Sequence, residues 1–284
     1  MVPTAGLGFK PEHFVQARSC PAAGLWFEVH AENYMIAGGP RLAMLEALRS
    51  RHPLSIHGVG LSLAADADPD PEALAALKTV VERFRPFVVS EHLAWSSWNG
   101  AHFPDLLPFP RTRESLLRLV RNVDITQQAV GRRILIENPS AYLPMAHELS
   151  EAEFLTELAR RTGCGLLVDV NNAYVSACNL GGDAAAYLTA LPAEAIGEIH
   201  LAGHSRDAGL PDSGLLIDTH AAPVCDAVWQ LYSSLLSRIG PRPTLIERDD
   251  QLPDFDVLLE EREHAAALLA AAAPGTGEAY AIAC

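Results

Sequence analysis

Ile134-Leu135-Ile136-Glu137-Asn138-Pro139, then Ser150-Glu151-Ala152-Glu153-Phe154-Leu155, then Leu166-Leu167-Val168-Asp169 are the segments from which the fold is read. The outer two are brief aliphatic runs that end on a carboxylate, the pattern of strands buried on both faces. The middle one is a capping box: Ser150 and Glu153 close the first turn of a helix whose apolar positions are Phe154, Leu155 and Leu158. Strand, helix and strand thus follow one another. The same alternation extends in both directions. Strand-like runs are predicted at Gly6–Lys10, Leu25–His30, Leu54–His57, Phe87–His92, Ile134–Glu137, Leu166–Asp169, Glu198–Leu201 and Thr244–Glu247. Between them, Asp70-Pro71 opens a helix carrying Leu74, Leu77, Val81 and Phe84, and Arg113–Val130 sets Leu116, Val120 and Val123 on one stripe. Pro223–Ile239 and Phe255–Ala272 supply two long late helices. Eight strands alternating with helices over most of 284 residues predict an α/β protein built as a single (β/α)8 TIM barrel. A doubly wound sheet fits less well, because Gly6-Leu7-Gly8-Phe9-Lys10 lacks the third glycine of a dinucleotide-binding turn. The barrel is expected to span 1–272 as one catalytic domain, with 273–284 a flexible tail.

Composition narrows the function. Lys and Arg number 21 against 35 Asp and Glu, a net charge of −14, which disfavours a nucleic-acid partner. The longest apolar run, Ala265–Ala273, is too short for a membrane span, and Met1–Ala5 shows no secretory signal, so a cytoplasmic protein is expected. The 5 cysteines include no C-x-x-C pair, so reduced thiols are expected rather than disulfides or a thiolate zinc site.

Chemistry concentrates where the predicted strands end. In a TIM barrel these ends converge on one mouth, which carries the catalytic residues. His57, His92, Glu137, Asp169, His200 and Glu247 stand at or beside strand ends, and Asp218-Thr219-His220 follows the seventh strand. Taken singly, each histidine reads more simply as a hydrogen-bonded core residue and each carboxylate as a loop acid or ion-pair partner. Together, four carboxylates at one point repel and demand compensation. Among strand-end residues only Arg248 is cationic, so two or three metal ions, co-ligated by imidazoles, are the expected counter-charge. Imidazole and carboxylate without thiolate suit iron, zinc or manganese. His13, His52, His102, His147 and His264 fall in helices or loops and read as structural or solvated.

These residues carry a resemblance. Gly6-Leu7-Gly8, Phe27-Glu28-Val29-His30-Ala31-Glu32-Asn33-Tyr34, Ser90-Glu91-His92-Leu93-Ala94-Trp95 and Leu106-Leu107-Pro108 open the series. Glu137-Asn138-Pro139, Asp169-Val170-Asn171-Asn172, His200-Leu201-Ala202-Gly203-His204, Asp218-Thr219-His220 and Glu247-Arg248-Asp249 complete it. The ordered set resembles the multinuclear non-haem iron-dependent oxidative enzymes, among them MbnB and TglH, over nearly the whole chain. The resemblance implies two to three Fe(II)/Fe(III) ions at the barrel mouth and O2 as co-substrate. It further implies a cysteine-containing, ribosomally made precursor peptide as substrate and a companion protein that delivers it. It carries His57, His92 and Glu137 over as one ligand group, with Glu137 bridging. Asp169, His200 and Glu247 form a second, and Asp218 with His220 a third. One position departs from the trinuclear pattern: Asn172 stands where Asp-x-x-His would place an imidazole. The resemblance thus makes Glu137, Asp169 and Asn172 the reaction-centre residues, the third ion being completed by the Asn172 oxygen, water or substrate. Glu32, Asn33, Asn138, Asn171, His204 and Asp249 are expected to orient ligands or peptide, and Leu93–Arg111 to wall the peptide groove or cover the barrel top as a loop. The rival readings are a zinc hydrolase of the endonuclease IV type and a xylose isomerase-like sugar isomerase. The negative charge weighs against the first. The second typically uses a metal-bridging lysine, and Lys10 and Lys78 are the only lysines. A metal-holding protein without catalysis is the non-enzymatic alternative.

Overall fold

In chain order the elements are β1 (Ala5–Gly8), α1 (Phe14–Ser19), β2 (Phe27–His30), α2 (Pro40–Arg49), β3 (Leu54–Gly58), α3 (Pro71–Phe84), β4 (Val88–His92), β5 (Trp95–Trp98), β6 (Ala101–Leu107), α4 (Arg113–Val130) and β7 (Leu135–Glu137). They continue with α5 (Glu151–Thr162), β8 (Gly165–Asp169), α6 (Val170–Leu180), α7 (Ala184–Ala190), β9 (Ile196–Leu201), β10 (Ser205–Arg206), β11 (Leu216–Ile217), α8 (Asp226–Ile239), β12 (Thr244–Ile246) and α9 (Phe255–Ala272). The computed structural model describes residues 4–98, 100–209 and 211–273. Most of the expected tail, residues 274–284, therefore lies outside the described residues.

β1, β2, β3, β4, β7, β8, β9 and β12 pair in parallel in that order, and β12 closes against β1. The architecture is the expected eight-stranded α/β barrel. Closure is latched by Arg262 on α9, whose buried guanidinium donates to Ala5 O at 2.9 Å and Ala23 O at 2.7 Å. The helix caps read from the sequence are formed: Asp70 accepts from Glu72 N, and Ser150 and Glu153 bond each other's backbone N–H. On α4 the buried stripe is Leu116, Leu119 and Val123, with Val120 only half-buried. The helix expected from Pro223 begins at Asp226.

Two antiparallel ribbons beside the barrel were not expected. β5–β6 lies in the segment read as a loop, and β10–β11 precedes Asp218. β6 is exposed over most of its length and the pairing shifts register between Trp95 and Ser97, so neither alternation nor an apolar run marks it. α6 was also missed. It opens with Val170, Asn171 and Asn172, all buried, so its first turn shows no polar outer face.

The register places the chemistry. Residues two apart on a strand share a face, and contacts between strands on opposite sides of the ring identify the inward one. Ser55 on β3 lies 3.5 Å from Glu198 on β9, and Glu28 on β2 lies 3.2 Å from His200 on β9. The inward positions therefore include 28 and 30, 55 and 57, and 198 and 200. Gly58 follows the last inward residue of β3 because a side chain there would collide with the Glu91 carboxylate.

Candidate metal centre

Seven of the eight barrel strands contribute a histidine or carboxylate at or next to their C-terminal end: His30, His57, His92, Glu137, Asp169, His200 and Glu247. Asp218 and His220 join from the segment after β11. His220 is held at φ 49°, a left-handed conformation that costs a residue with a side chain roughly 1–3 kcal/mol. Asp249 N donates to its carbonyl at 3.1 Å and helps fix that turn.

Glu137 Oε2 lies 3.1 Å from His57 Nε2 and 3.3 Å from His92 Nε2, and the two imidazole nitrogens are 3.4 Å apart. Its other oxygen is 3.6 Å from His200 Nδ1, which is 3.1 Å from Glu247 Oε2. His220 Nδ1 lies 3.6 Å from the same Glu247 oxygen, and His220 Nε2 lies 2.8 Å from Asp218 Oδ1. Among the described residues, ligand atoms gather into five triads: His57–His92–Glu137, Glu137–Asp169–His200 and Asp169–His220–Glu247 form an overlapping run, and Glu28–Glu198–His200 and His30–Glu247–Asp249 flank it. Within the run, Glu137 is shared by the first two and Asp169 by the last two. The resemblance groups the same residues as Asp169, His200 and Glu247 and as Asp218 with His220; the 3.1 Å His200–Glu247 and 2.8 Å His220–Asp218 approaches are present alongside the run of triads.

Buried carboxylates normally find hydrogen bonds. Glu137 Oε2 and Asp169 Oδ2 are buried and have none, although imidazole nitrogens stand close to Glu137. These atoms point at common centres rather than along one another's N–H axes, so the donor set fits metal ions. Without a cation, protons balance the charge. Burial opposes ionisation of His57, but Glu137 and Glu28 override it and raise its pKa to about 10. His200 and His220 are likewise driven upward against burial, by Glu28 and Glu137 for the first and by Glu247 and Asp218 for the second. Burial disfavours charge on Glu137 too, yet His92, His57 and His200 lower its pKa to about 2. His92 goes the other way, down to about 4, through burial and against the pull of Glu137. Asp169 is pushed well up by burial, Asp218 and Glu137. Cations binding here would displace those protons.

Asn172 is not turned to the centre. Its Oδ1 accepts from Ser140 Oγ at 2.7 Å and its Nδ2 donates to Asn138 O at 3.0 Å, while its backbone N–H caps Asp169 Oδ1 at 2.6 Å. Asn138 Oδ1 accepts from Asp169 N at 3.0 Å. His204 Nδ1 meets Asn171 Oδ1 at 2.7 Å, and Asn171 Nδ2 donates to Asp218 Oδ1 at 2.8 Å. Asp249 bridges His220 Nδ1, at 3.0 Å, and Lys10 Nζ, at 2.6 Å. Glu32 accepts from the Val59 and Gly60 N–H groups, and Asn33 meets Arg41. Arg248 turns away to Glu261 at 2.9 Å, and Lys78 pairs loosely with Glu82 on its own helix. The sequence reading missed His30, 3.6 Å from Glu247 Oε1, and the buried Glu28 and Glu198 beneath the cluster. Their signal was present: each shares strand parity with a strand-end histidine or is one itself.

A family profile described as the RiPP precursor modification enzyme MbnB/TglH/ChrH matches residues 4–270. The chain belongs to this family. Among its relatives, a UPF0276 protein of Caulobacter vibrioides is 66% identical over 95% of this chain and 96% of its own length. One from Bordetella bronchiseptica is 50% identical, covering 94% and 92%. Solved structures share the fold at low identity. An L-ribulose 3-epimerase gives a TM-score of 0.60 at 12% identity, with 95% of this chain and 96% of that one covered. Endonuclease IV from Thermus thermophilus gives 0.58 at 18%, covering 95% and 98%. The family is one of enzymes that modify precursors of ribosomally made peptides. Among the described residues, no helix is long and apolar enough to cross a membrane.

Proposed function

We propose that this chain is an iron- and O2-dependent oxidative enzyme that modifies a cysteine of a ribosomally made precursor peptide, with a companion protein delivering the peptide. The observation carrying this reading is the run of three overlapping triads linked through Glu137 and Asp169. Shared carboxylates of this kind suit neighbouring ions rather than one isolated ion. His57, His92, Glu137, Asp169, His200, His220 and Glu247 would hold the ions, with Asp218 at the rim. The set contains no thiolate, which leaves sulfur to come from the substrate. When bound, iron supplies Lewis acidity toward a substrate thiolate and one-electron exchange with O2.

The chain's own residues divide the remaining work. Side chains of His57, His200 and Glu137 are at most 2% exposed, whereas those of His92, His220 and Asp218 are 10–14% exposed. The peptide therefore approaches over the second set, and the first excludes water from the floor. The β5–β6 ribbon, with Trp98 and Phe103 exposed, and the half-exposed Tyr142, whose hydroxyl accepts from Asp218 N at 3.1 Å, offer apolar surface for a bound peptide. Asn171 orients Asp218, and Asp249 orients His220. Neither a hydrolase nor an isomerase is favoured by the likenesses to endonuclease IV and the epimerases, which concern the fold.

Metal analysis of freshly purified protein tests the reading, together with O2 uptake and peptide mass in the presence of a cysteine-containing precursor and the companion. Two to three irons per chain and a mass change absent from a Cys→Ser peptide are expected. Stoichiometric zinc without iron, and no O2 uptake, would overturn it.

A further inference from the structure

Beneath the ligands lies a buried polar group that the run of overlapping triads does not include. Glu28, Ser55 and Glu198 are 3%, 0% and 0% exposed. Each stands two residues before a histidine on its own strand: His30 on β2, His57 on β3, His200 on β9. Glu28 Oε1 lies 3.2 Å from His200 Nε2, and its Oε2 accepts from Ser55 Oγ at 2.8 Å. Ser55 Oγ is also 3.5 Å from Glu198 Oε2. The group ties β2, β3 and β9 together across the barrel.

His200 differs from the other histidines in two respects. His57 and His92 aim Nε2 at Glu137 and rest Nδ1 on neutral oxygens, Ser90 Oγ at 2.8 Å and Gly58 O at 3.1 Å. His200 is inverted: Nδ1 is hydrogen-bonded to Glu247 Oε2 and faces Glu137, while Nε2, which makes no hydrogen bond, stands 3.2 Å from the Glu28 carboxylate. His220 also has a carboxylate partner, Asp249, but that one is a third exposed and shared with Lys10. Only one nitrogen of a neutral imidazole carries the proton, and the partner of the far nitrogen decides which. A buried carboxylate there also makes the imidazole a stronger donor.

We propose that Glu28 is a positioning residue of the metal centre: when a metal takes the His200 Nδ1 lone pair that Glu247 now meets, Glu28, 3.2 Å away and oriented by Ser55, accepts the Nε2–H. This rests on the metal-centre reading above. It makes Ser55 the residue that holds Glu28 in place, since an alanine there would free the Glu28 carboxylate to rotate without touching any proposed ligand. Replacing Glu28 by glutamine keeps an oxygen able to accept the same bond, removes the charge, and turns the position that accepts from Ser55 Oγ into an NH2 donor.

The test uses the full chain stripped of metal and titrated with Co(II), with the ligand-field spectrum and competition against a chelator as readouts. Wild type binds. Glu28→Gln retains the Co(II) spectrum but binds about tenfold more weakly, Glu28→Ala approaches a hundredfold, and Ser55→Ala falls near the glutamine variant. In the iron-loaded protein Glu28→Gln also raises the reduction potential, a shift that a packing role would not produce. A control, Leu167→Ala, buried at the same depth beneath Asp169, lowers the melting temperature and leaves Co(II) affinity little changed. If Glu28→Ala fails to fold, Glu28→Gln decides. Affinity and potential of Glu28→Gln equal to those of a metal-binding wild type overturn the proposal and leave the metal centre standing. Failure of wild type to bind either Co(II) or iron overturns the metal centre itself.

Discussion

The barrel interior has two different floors beneath one ring of ligands. Under His57, His92 and His200, and beside them on β2, the inward residues are Ser55, Ser90, Glu198 and Glu28. Under Glu137, Asp169 and Glu247 they are Leu135, Leu167 and Leu245, all buried. The difference follows from the ligands. An imidazole that gives one nitrogen to a metal still has a second, buried nitrogen that needs a hydrogen-bond partner. A carboxylate can turn both oxygens to the cluster, or one to a backbone N–H as Asp169 does with Asn172 N, and needs nothing below. Histidine ligands therefore bring polar floors with them, and carboxylate ligands permit an apolar core to rise directly beneath.

Breaking the shared ligand gives the largest effect. Glu137→Ala removes the side chain common to two triads, and metal content measured by mass spectrometry should fall to near zero while circular dichroism shows an intact barrel. Retention of the wild-type metal load would show that the carboxylates are not what binds the ions. Next comes the apolar floor. Leu167 is 1% exposed, and Leu167→Ser leaves a cavity and a hydroxyl without a partner, a loss of about 3–5 kcal/mol in denaturant unfolding. Metal affinity of whatever remains folded should change little, because Leu167, although beside Glu137 in register, holds no ligand by a hydrogen bond. The polar floor should behave in the opposite way. Ser90→Ala takes the partner from His57 Nδ1, and about tenfold weaker metal binding is expected with only ~1 kcal/mol of stability lost. Ser90→Thr should restore the affinity. Equal metal binding in Ser90→Ala and wild type would remove the distinction between the floors.

The strand ends were legible because buried parallel strands write short aliphatic runs, and a ligand at the end of each run interrupts them conspicuously. Ile134–Glu137 and Leu166–Asp169 are of this kind. Glu28 and Glu198 escaped notice for the same reason. They sit inside strands rather than at their ends, where a carboxylate looks like an outward-facing residue; parity with His30 and His200 was the only sign in the sequence, and the contacts across the ring show that they point inward. His30 lies among the residues that carry the resemblance and ends β2 much as His57 stands next to the end of β3. The ribbons were invisible because β6 is largely solvated and β10 and β11 are two residues each. For Asn172 the spacing after Asp169 was readable from the sequence but its orientation was not, since its amide is fixed by Ser140 and Asn138, far along the chain.

Asn172 also supplies the smallest predicted effect. The third triad lies nearest the rim, where the side chains of His220 and Asp218 are 13% and 14% exposed, and it shares Asp169 with the second triad. An ion held there meets solvent and chelator first, so graded chelation should remove it before the others. Asn172→His would add an imidazole at the position where a trinuclear pattern has one. To use it, the side chain must leave Ser140 Oγ and Asn138 O, stranding a buried carbonyl that Asn172 now satisfies. The gain of a nitrogen donor and the loss of two hydrogen bonds pull in opposite directions. We expect the order of ion loss to be unchanged, retention at the rim to shift by no more than about twofold, and stability to fall by roughly 1 kcal/mol. Iron counted by mass spectrometry along a chelator titration of both proteins decides it. A variant that keeps its last-bound ion tenfold longer would mean that the carboxylate side of the cluster is short of a ligand, and that its apolar floor reflects a missing histidine rather than a carboxylate's self-sufficiency.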